Sequence, residues 1–292
     1  MPAPTPAQRA FALVNTGAML LLMIATVYPF VHVAASSLSL PSLLISHRGP
    51  ILWPLGLTTG AYKLVLENPM IVIGYGNTLI YVVAGTAVNM IVTCTGAYAL
   101  SRRGLGLRNV LMFMAVFTMF FSGGLIPHYL QVRGLGLADT RWALIFPPAL
   151  NTFNLIVMRT YFLGQPESLE ESARIDGAGD LTILLRIVLP LATPVVAVMV
   201  LFYGVGHWNS WFNAMIFLRT RDLYPLQLVL REILISSSTY DMTTNIADTD
   251  KELVGETVKY ATIMVATLPI LFVYPFLQRY FVKGMMIGAL KG

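Results

Sequence analysis

Stretches of about 20 residues without a charged side chain recur along this sequence, and a helix of that length is what roughly 30 Å of hydrocarbon demands. Six are present: Phe11 to Ala35, Ile71 to Leu100, Val110 to Ile126, Trp142 to Met158, Ile187 to Val205 and Tyr260 to Leu277. The third and fourth are the shortest. With 56% apolar and 11% charged residues and a mean hydropathy of +0.71, the chain has too little polar side chain to cover a soluble globule of 292 residues. The expected fold class is an all-α integral membrane protein of about six spans. It is expected to form one domain over residues 1–292, since no linker or charge block interrupts it. The first run is longer than the apolar core of a signal peptide, and Ala34-Ala35-Ser36-Ser37 reads as ordinary loop, so this run is taken as a span. The lone Cys94 lies inside an apolar run and reads as a small buried hydrophobe.

The net charge of +5 raises the question of nucleic acid, but the basic residues form no stripe, and no nucleic-acid partner is expected. Their positions bear on orientation instead. With the N-terminus inside, the inner segments hold ten of the nineteen basic residues, which decides little. Density decides more. Ser101 to Asn109 carries Arg102, Arg103 and Arg108, whereas Gly206 to Lys259 spreads five basic residues over a much longer stretch. Short basic loops weigh most, so both termini are expected to be cytoplasmic.

Between the fourth and fifth runs lies a segment too polar to span, Gln165 to Arg186, followed by Ile187-Val188-Leu189-Pro190. Ser168 and Glu171 have capping-box spacing, which predicts a short helix from about Ser168 to Ile175. Asp176-Gly177 supplies a turn. Asp180 is placed to cap a second short helix whose Ile183, Leu184 and Ile187 lead into the fifth span, with Pro190 near its start. The expected product is a stiff elbow tied directly to a membrane helix.

This segment resembles the signature of the membrane subunits of bacterial binding-protein-dependent ABC importers. Glu171-Ser172-Ala173, Gly177, Ile187 and Leu189-Pro190 fall on its spacing, with Ser172 the single departure, and Asp176-Gly177-Ala178 matches the form common among sugar importers. The stretches Phe121 to Pro127, Asp139 to Trp142, Gly206 to Asn213, Leu223 to Leu228 and Lys283 to Gly292 are similar to the carbohydrate-type subgroup. Within it the chain resembles the second, shorter permease of maltose-type pairs and the permeases of complex-saccharide importers, including those for alginate-type oligosaccharides.

The resemblance implies a multi-pass permease of the bacterial cytoplasmic membrane, working by alternating access and paired with a second homologous permease. Two ATP-hydrolysing subunits and an extracytoplasmic solute-binding protein complete the complex, and the solute is a saccharide. ATP and magnesium belong to the partner ATPase, and no cofactor is expected in this chain. The residues carried over for ATPase coupling are Glu171, Ala173, Asp176 and Gly177, together with Glu170, Ile187, Leu189 and Pro190. Glu171 either contacts a basic ATPase group or caps its own helix, and the two roles are compatible. The tail with Lys291 and Gly292 either reaches the ATPase interface or is a solvated anchor.

For the solute path, Trp208, Asn209, Trp211 and Asn213 supply aromatic faces and amides, although aromatic residues also anchor membrane interfaces. The stretch 206–259, with Asp241, Asp248, Asp250, Glu252 and Glu256, reads as an outer loop on which the binding protein docks. His32, His47, His128 and His207 lack metal-ligand spacing. A secondary transporter or channel subunit is the alternative, yet none of the six apolar cores contains Asp, Glu, Lys or Arg. An enzyme or an ATP-binding chain is disfavoured by the lack of Gly-x-Ser-x-Gly, His-Glu-x-x-His and Gly-Lys-Ser/Thr motifs.

Overall fold

In hydrocarbon the backbone finds no water partners, so an apolar chain closes its hydrogen bonds within helices. The computed structural model describes residues 5–102, 104–243, 255–272 and 275, and the side chains of these except 236–243. The described helices are α1 (Pro6–Ser37), α2 (Pro41–Ser46), α3 (Gly60–Glu67), α4 (Pro69–Ser101), α5 (Arg108–Phe120), α6 (Leu125–Gly134), α7 (Thr152–Leu163), α8 (Glu167–Ile175), α9 (Asp180–Ile183), α10 (Leu189–Leu191), α11 (Thr193–Trp208), α12 (Phe212–Phe217), α13 (Leu226–Thr243) and α14 (255–272). They divide between two units, residues 1–69 with 230–269 and residues 70–229 with 270–292.

In the first unit α1 opens with a capping box between Thr5 and Gln8. Its most apolar 18-residue window has no buried residue, which suits a helix whose solvent is lipid. A short antiparallel bridge between Ser39 and Leu57 closes the turn after α1, and Ser39 Oγ stitches it by donating to the Ala35 carbonyl (2.7 Å) and accepting from Leu55 N–H (2.9 Å). Tyr260 of α14 meets the His32 ring edge-on.

The second unit is organised by α4. Asn77, Tyr81, Gly85, Asn89, Thr93, Ala97 and Ser101 recur every four residues, and all are buried. A four-residue step overshoots the helical turn by about 40°, so the stripe winds slowly and meets different elements in turn. Near one end, Asn77 Nδ2 donates to the carbonyls of Asp222 (2.6 Å) and Tyr224 (3.1 Å), and Tyr81 donates to the Leu223 carbonyl (2.7 Å). Further along, Asn89 Nδ2 donates to the Pro148 carbonyl (2.6 Å) while its Oδ1 meets His207 Nε2 (2.7 Å). Thr93 then pairs with the Tyr203 hydroxyl (2.7 Å), which also accepts from Asn151 N–H (3.3 Å). Gly85 leaves the room His207 needs, since a Cβ there would lie 2.4 Å from the imidazole.

Three of the expected spans depart from straight helices. The third, Val110 to Ile126, is broken by Phe121-Ser-Gly-Gly124: α5 ends at Phe120, Gly124 takes φ +84°, and α6 leaves at 120°. The fourth, Trp142 to Met158, is helical only from Thr152. Pro147 and Pro148 lack N–H donors, so Arg141–Leu144 forms a 3₁₀ turn and the chain reaches α7 by an irregular path. Ala143, Leu144 and Ile145 are buried, the condition under which irregular backbone is tolerated at membrane depth. The fifth, Ile187 to Val205, bends by 90° at Ala192 between Pro190 and Pro194. The first and second match α1 and α4; of the sixth, residues 260–272 are helical and most of the rest lies outside the described residues. The stretch 206–259 is not one loop, because it contains α12, α13 and the start of α14. Asp248, Asp250 and Glu252 lie outside the described residues, as does the side chain of Asp241, while Glu256 pairs with Lys259 (2.9 Å).

Asp139, in the left-handed region at φ +57°, fastens the turn after α6 to residues 217–220. Its carboxylate accepts from the backbone N–H of Thr220 and Arg219 and from the Thr220 hydroxyl, each at 2.8 Å. These bonds hold its pKa below the ordinary carboxylate value. Two outcomes follow. Gly85→Ala should drive His207 off Asn89 and cost about 1–3 kcal/mol, read as a lowered unfolding temperature in detergent. The stabilisation from Asp139 should be fully present above the unfolded carboxylate pKa and fade as pH falls through its lowered folded value; Asp139→Asn should flatten that acid limb of the stability profile.

Candidate functional site

The segment following α7 folds into two arms around a tight turn. The first arm, α8, begins at Glu167 with Pro166 at its N-cap and no side-chain cap. The expected Ser168–Glu171 capping box does not form, because the helix starts earlier and leaves Ser168 inside its first turn. Glu167 and Glu170 instead place negative charge at the positive end of the helix. The arm ends in a Schellman turn: Ala178 N–H donates to the Ala173 carbonyl (2.9 Å) and Gly177 N–H to the Arg174 carbonyl (3.0 Å). Asp176 is the C-cap, and Gly177 follows at φ +83°, where a side chain would be strained.

The second arm begins at α9 with Gly179, not Asp180, at the N-cap. Asp180 occupies the first turn and forms an ion pair with Arg174 across the elbow, bracing the two arms. A π-turn at Leu184–Val188 follows. Pro190 has no N–H to give and its ring crowds the carbonyl four residues back, so the turn before it widens. Widening inserts a residue into the register: the buried face is Ile183, Leu184 and Val188, and the expected Ile187 is only partly covered.

Beneath the elbow lies an apolar cluster from α4, α7, the second arm and α11, which includes Cys94, Ala97, Leu155, Met158, Phe162 and Met199. Ala173, Ala178 and Leu189 pack against it. Ala173 is thus the small residue that lets α8 lie close. Glu170 is 6% exposed and forms an ion pair with Arg102, the residue that follows α4. The Arg102 guanidinium lies 4.7 Å from the Tyr98 ring centroid. On the outer surface Glu171 and Asp176 are exposed, as is Ile175 at 86%. Those two carboxylates and the isoleucine leave acidic and apolar groups uncovered on the elbow.

About 30 Å along α4 from Tyr98, the Asn77 network holds Arg141, whose Nη2 donates to Asn77 Oδ1 (3.0 Å). Arg141 and Trp142 line an open cavity of about 540 Å³ with Asp139, Thr140 and Leu223. Trp142 is half exposed and stacks on Phe146. Sequence reading missed this place by assigning Trp142 to a span, although the Pro147-Pro148 pair was the signal against it. Trp208, Asn209, Trp211 and Asn213 lie where α11 passes to α12. Trp208 is half-buried near Tyr75, the Asn209 amide donates to its own helix at Val205 (3.0 Å), and Trp211 meets Phe212 edge-on. Lys291 and Gly292 lie outside the described residues.

Residues 93–287 match the family described as binding-protein-dependent transport system inner membrane component. The chain is 44% identical over 269 residues to Protein LplC of Bacillus subtilis, covering 91% of this chain and 90% of that one. It is 42% identical over 284 residues to the polygalacturonan/rhamnogalacturonan transport system permease protein YtcP of Bacillus subtilis, covering 97% and 99%. A chain in the crystal structure of a bacterial ABC transporter involved in the import of the acidic polysaccharide alginate superposes with a TM-score of 0.87 at 33% identity, over 96% of this chain and 100% of that one. An elbow seated on the end of a long membrane helix, and relatives matched nearly end to end, make this chain a member of the binding-protein-dependent transport system inner membrane components, the non-enzymatic permease subunits of ABC importers.

Proposed function

We propose that this permease forms half of the path for an acidic oligosaccharide and takes its drive from a partner ATPase through the elbow at residues 165–186. The observation that carries the coupling role is the two-sided elbow: one face is sunk in the apolar cluster, and the other presents Glu171, Asp176 and Ile175. In this reading the chain crosses the membrane six times with both termini and the elbow on the cytoplasmic side, where Arg102 adjoins it. Alternating access then follows from rocking of the helices as two ATPase subunits close on this elbow and on that of a second permease. A binding protein delivers solute at the opposite face.

The solute class rests on the YtcP relative, named for polygalacturonan and rhamnogalacturonan, and on the importer of the acidic polysaccharide alginate. The chain offers aromatic and polar groups at two places, exposed Trp211 with Asn213, and the cavity of Arg141 and Trp142. The second also carries the cation that a uronate calls for.

Glu171→Lys should leave the amount of chain in the membrane unchanged and reduce ATP-driven uptake by about tenfold or more, the scale of a lost charge-assisted contact. Uptake at the wild-type level would remove Glu171 from the coupling surface. For the solute, the complex co-purified with its genomic neighbours and reconstituted in lipid should hydrolyse ATP faster with binding protein and uronate oligosaccharides than with neutral ones of equal length. Equal stimulation by neutral sugars would overturn the acidic assignment, and uptake without ATP would overturn the importer.

A further inference from the structure

Glu170 is the one buried carboxylate among the described residues, and it is the one residue of α8 that is fully buried. The second arm enters the body of the protein through apolar side chains, Ile183, Leu184 and Val188. Such contacts have no preferred direction and permit sliding. The first arm is held differently. Besides Ala173 on the apolar cluster, its buried contact is a charge on a charge, Glu170 to Arg102, and Arg102 is fixed in turn by Nε donating to Ser101 Oγ (3.0 Å) and by the Tyr98 ring beneath its guanidinium. Ser101 closes α4 by donating to the Tyr98 carbonyl (2.7 Å), and Arg159 of α7 donates to the Leu100 carbonyl (2.9 Å). The end of α4 is therefore a rigid seat for this one pair. Burying two charges is costly, and an apolar pair of the same size would hold the arm at least as firmly. What an ion pair adds is a fixed register between α8 and α4.

We infer that Arg102 and Glu170 form the linkage that passes displacement of the elbow's first arm to α4, so that Arg102 is a positioning residue for coupling. The inference rests on the coupling role proposed for the elbow. Once α8 is pushed, the pair moves the end of α4, and α4 carries the motion about 36 Å to the Asn77 network and the cavity beside it.

The test uses the complete complex with its ATPase and binding protein in liposomes, and the readout is solute imported per ATP hydrolysed. Glu170→Gln and Arg102→Gln should each lower that ratio by about tenfold, the scale of one charge-assisted bond, with uptake falling more than hydrolysis. The exchanged pair Arg102→Glu with Glu170→Arg should recover the ratio to within about threefold of wild type, as a restored pair would. An unchanged ratio in the single variants overturns the linkage, and so does an exchange no better than the singles. Assembly, hydrolysis and uptake falling in equal proportion also overturn it, because the pair is then a folding contact. Failure of the coupling surface looks different: Glu171→Lys would transport normally while the Arg102 and Glu170 ratios still fell.

Discussion

Polar groups inside a membrane have few places to go, and the arrangement of the second unit follows from where those of α4 go. Asn77, Tyr81, Asn89 and Thr93 cannot be left facing hydrocarbon without a penalty of several kcal/mol each. Asn77 and Tyr81 find partners at residues 222–224, Asn89 at Pro148 and Thr93 at Tyr203. Because a four-residue stripe winds round a 3.6-residue helix, these partners are distributed along and around α4. The irregular segments are thereby held: the Pro147-Pro148 path by Asn89, and the approach to α13 by Asn77 and by Thr78, whose hydroxyl accepts from Leu226 N–H (2.8 Å). Small residues complete the arrangement, with Gly74 admitting the Leu226 backbone and Gly85 admitting His207.

Hydropathy sees the long helices of this architecture most clearly. α1 and α4 are long, and each contains the charge-free run that announces it. The broken elements were less legible because an apolar run reports burial in lipid or protein alike and says nothing of backbone path. Phe121-Ser-Gly-Gly124 and Pro147-Pro148 lie inside apolar runs, and their breakers were outweighed by the surrounding hydrophobicity. The α4 stripe was present in the sequence as a four-residue repeat of Asn, Tyr, Gly, Asn and Thr, yet searching the spans for ionisable groups passes over neutral polar ones. At the elbow, the Asp176-Gly177 turn was readable from a residue that tolerates positive φ. The Glu170–Arg102 pair was not, since 68 residues separate its members and only tertiary packing brings them together.

The elbow also shows how one proline sets a register. A regular helix through Ile183 would bury Ile187; the π-turn ahead of Pro190 buries Val188 instead and rotates everything beyond it. The bend at Ala192 then sends α11 away at 90°. The second arm and the membrane helix that follows it are thus two rigid pieces joined at a defined corner, with Thr193 Oγ1 donating to the Pro190 carbonyl (2.7 Å) to close it.

Four of the acceptors that α4 engages, at Asp222, Leu223, Tyr224 and Pro148, are main-chain carbonyls. A main-chain carbonyl is the same whichever side chain its residue bears, so α4 grips residues 222–224 without specifying their chemistry. The side chains of those residues can therefore be exchanged without removing the bonds that hold their backbone.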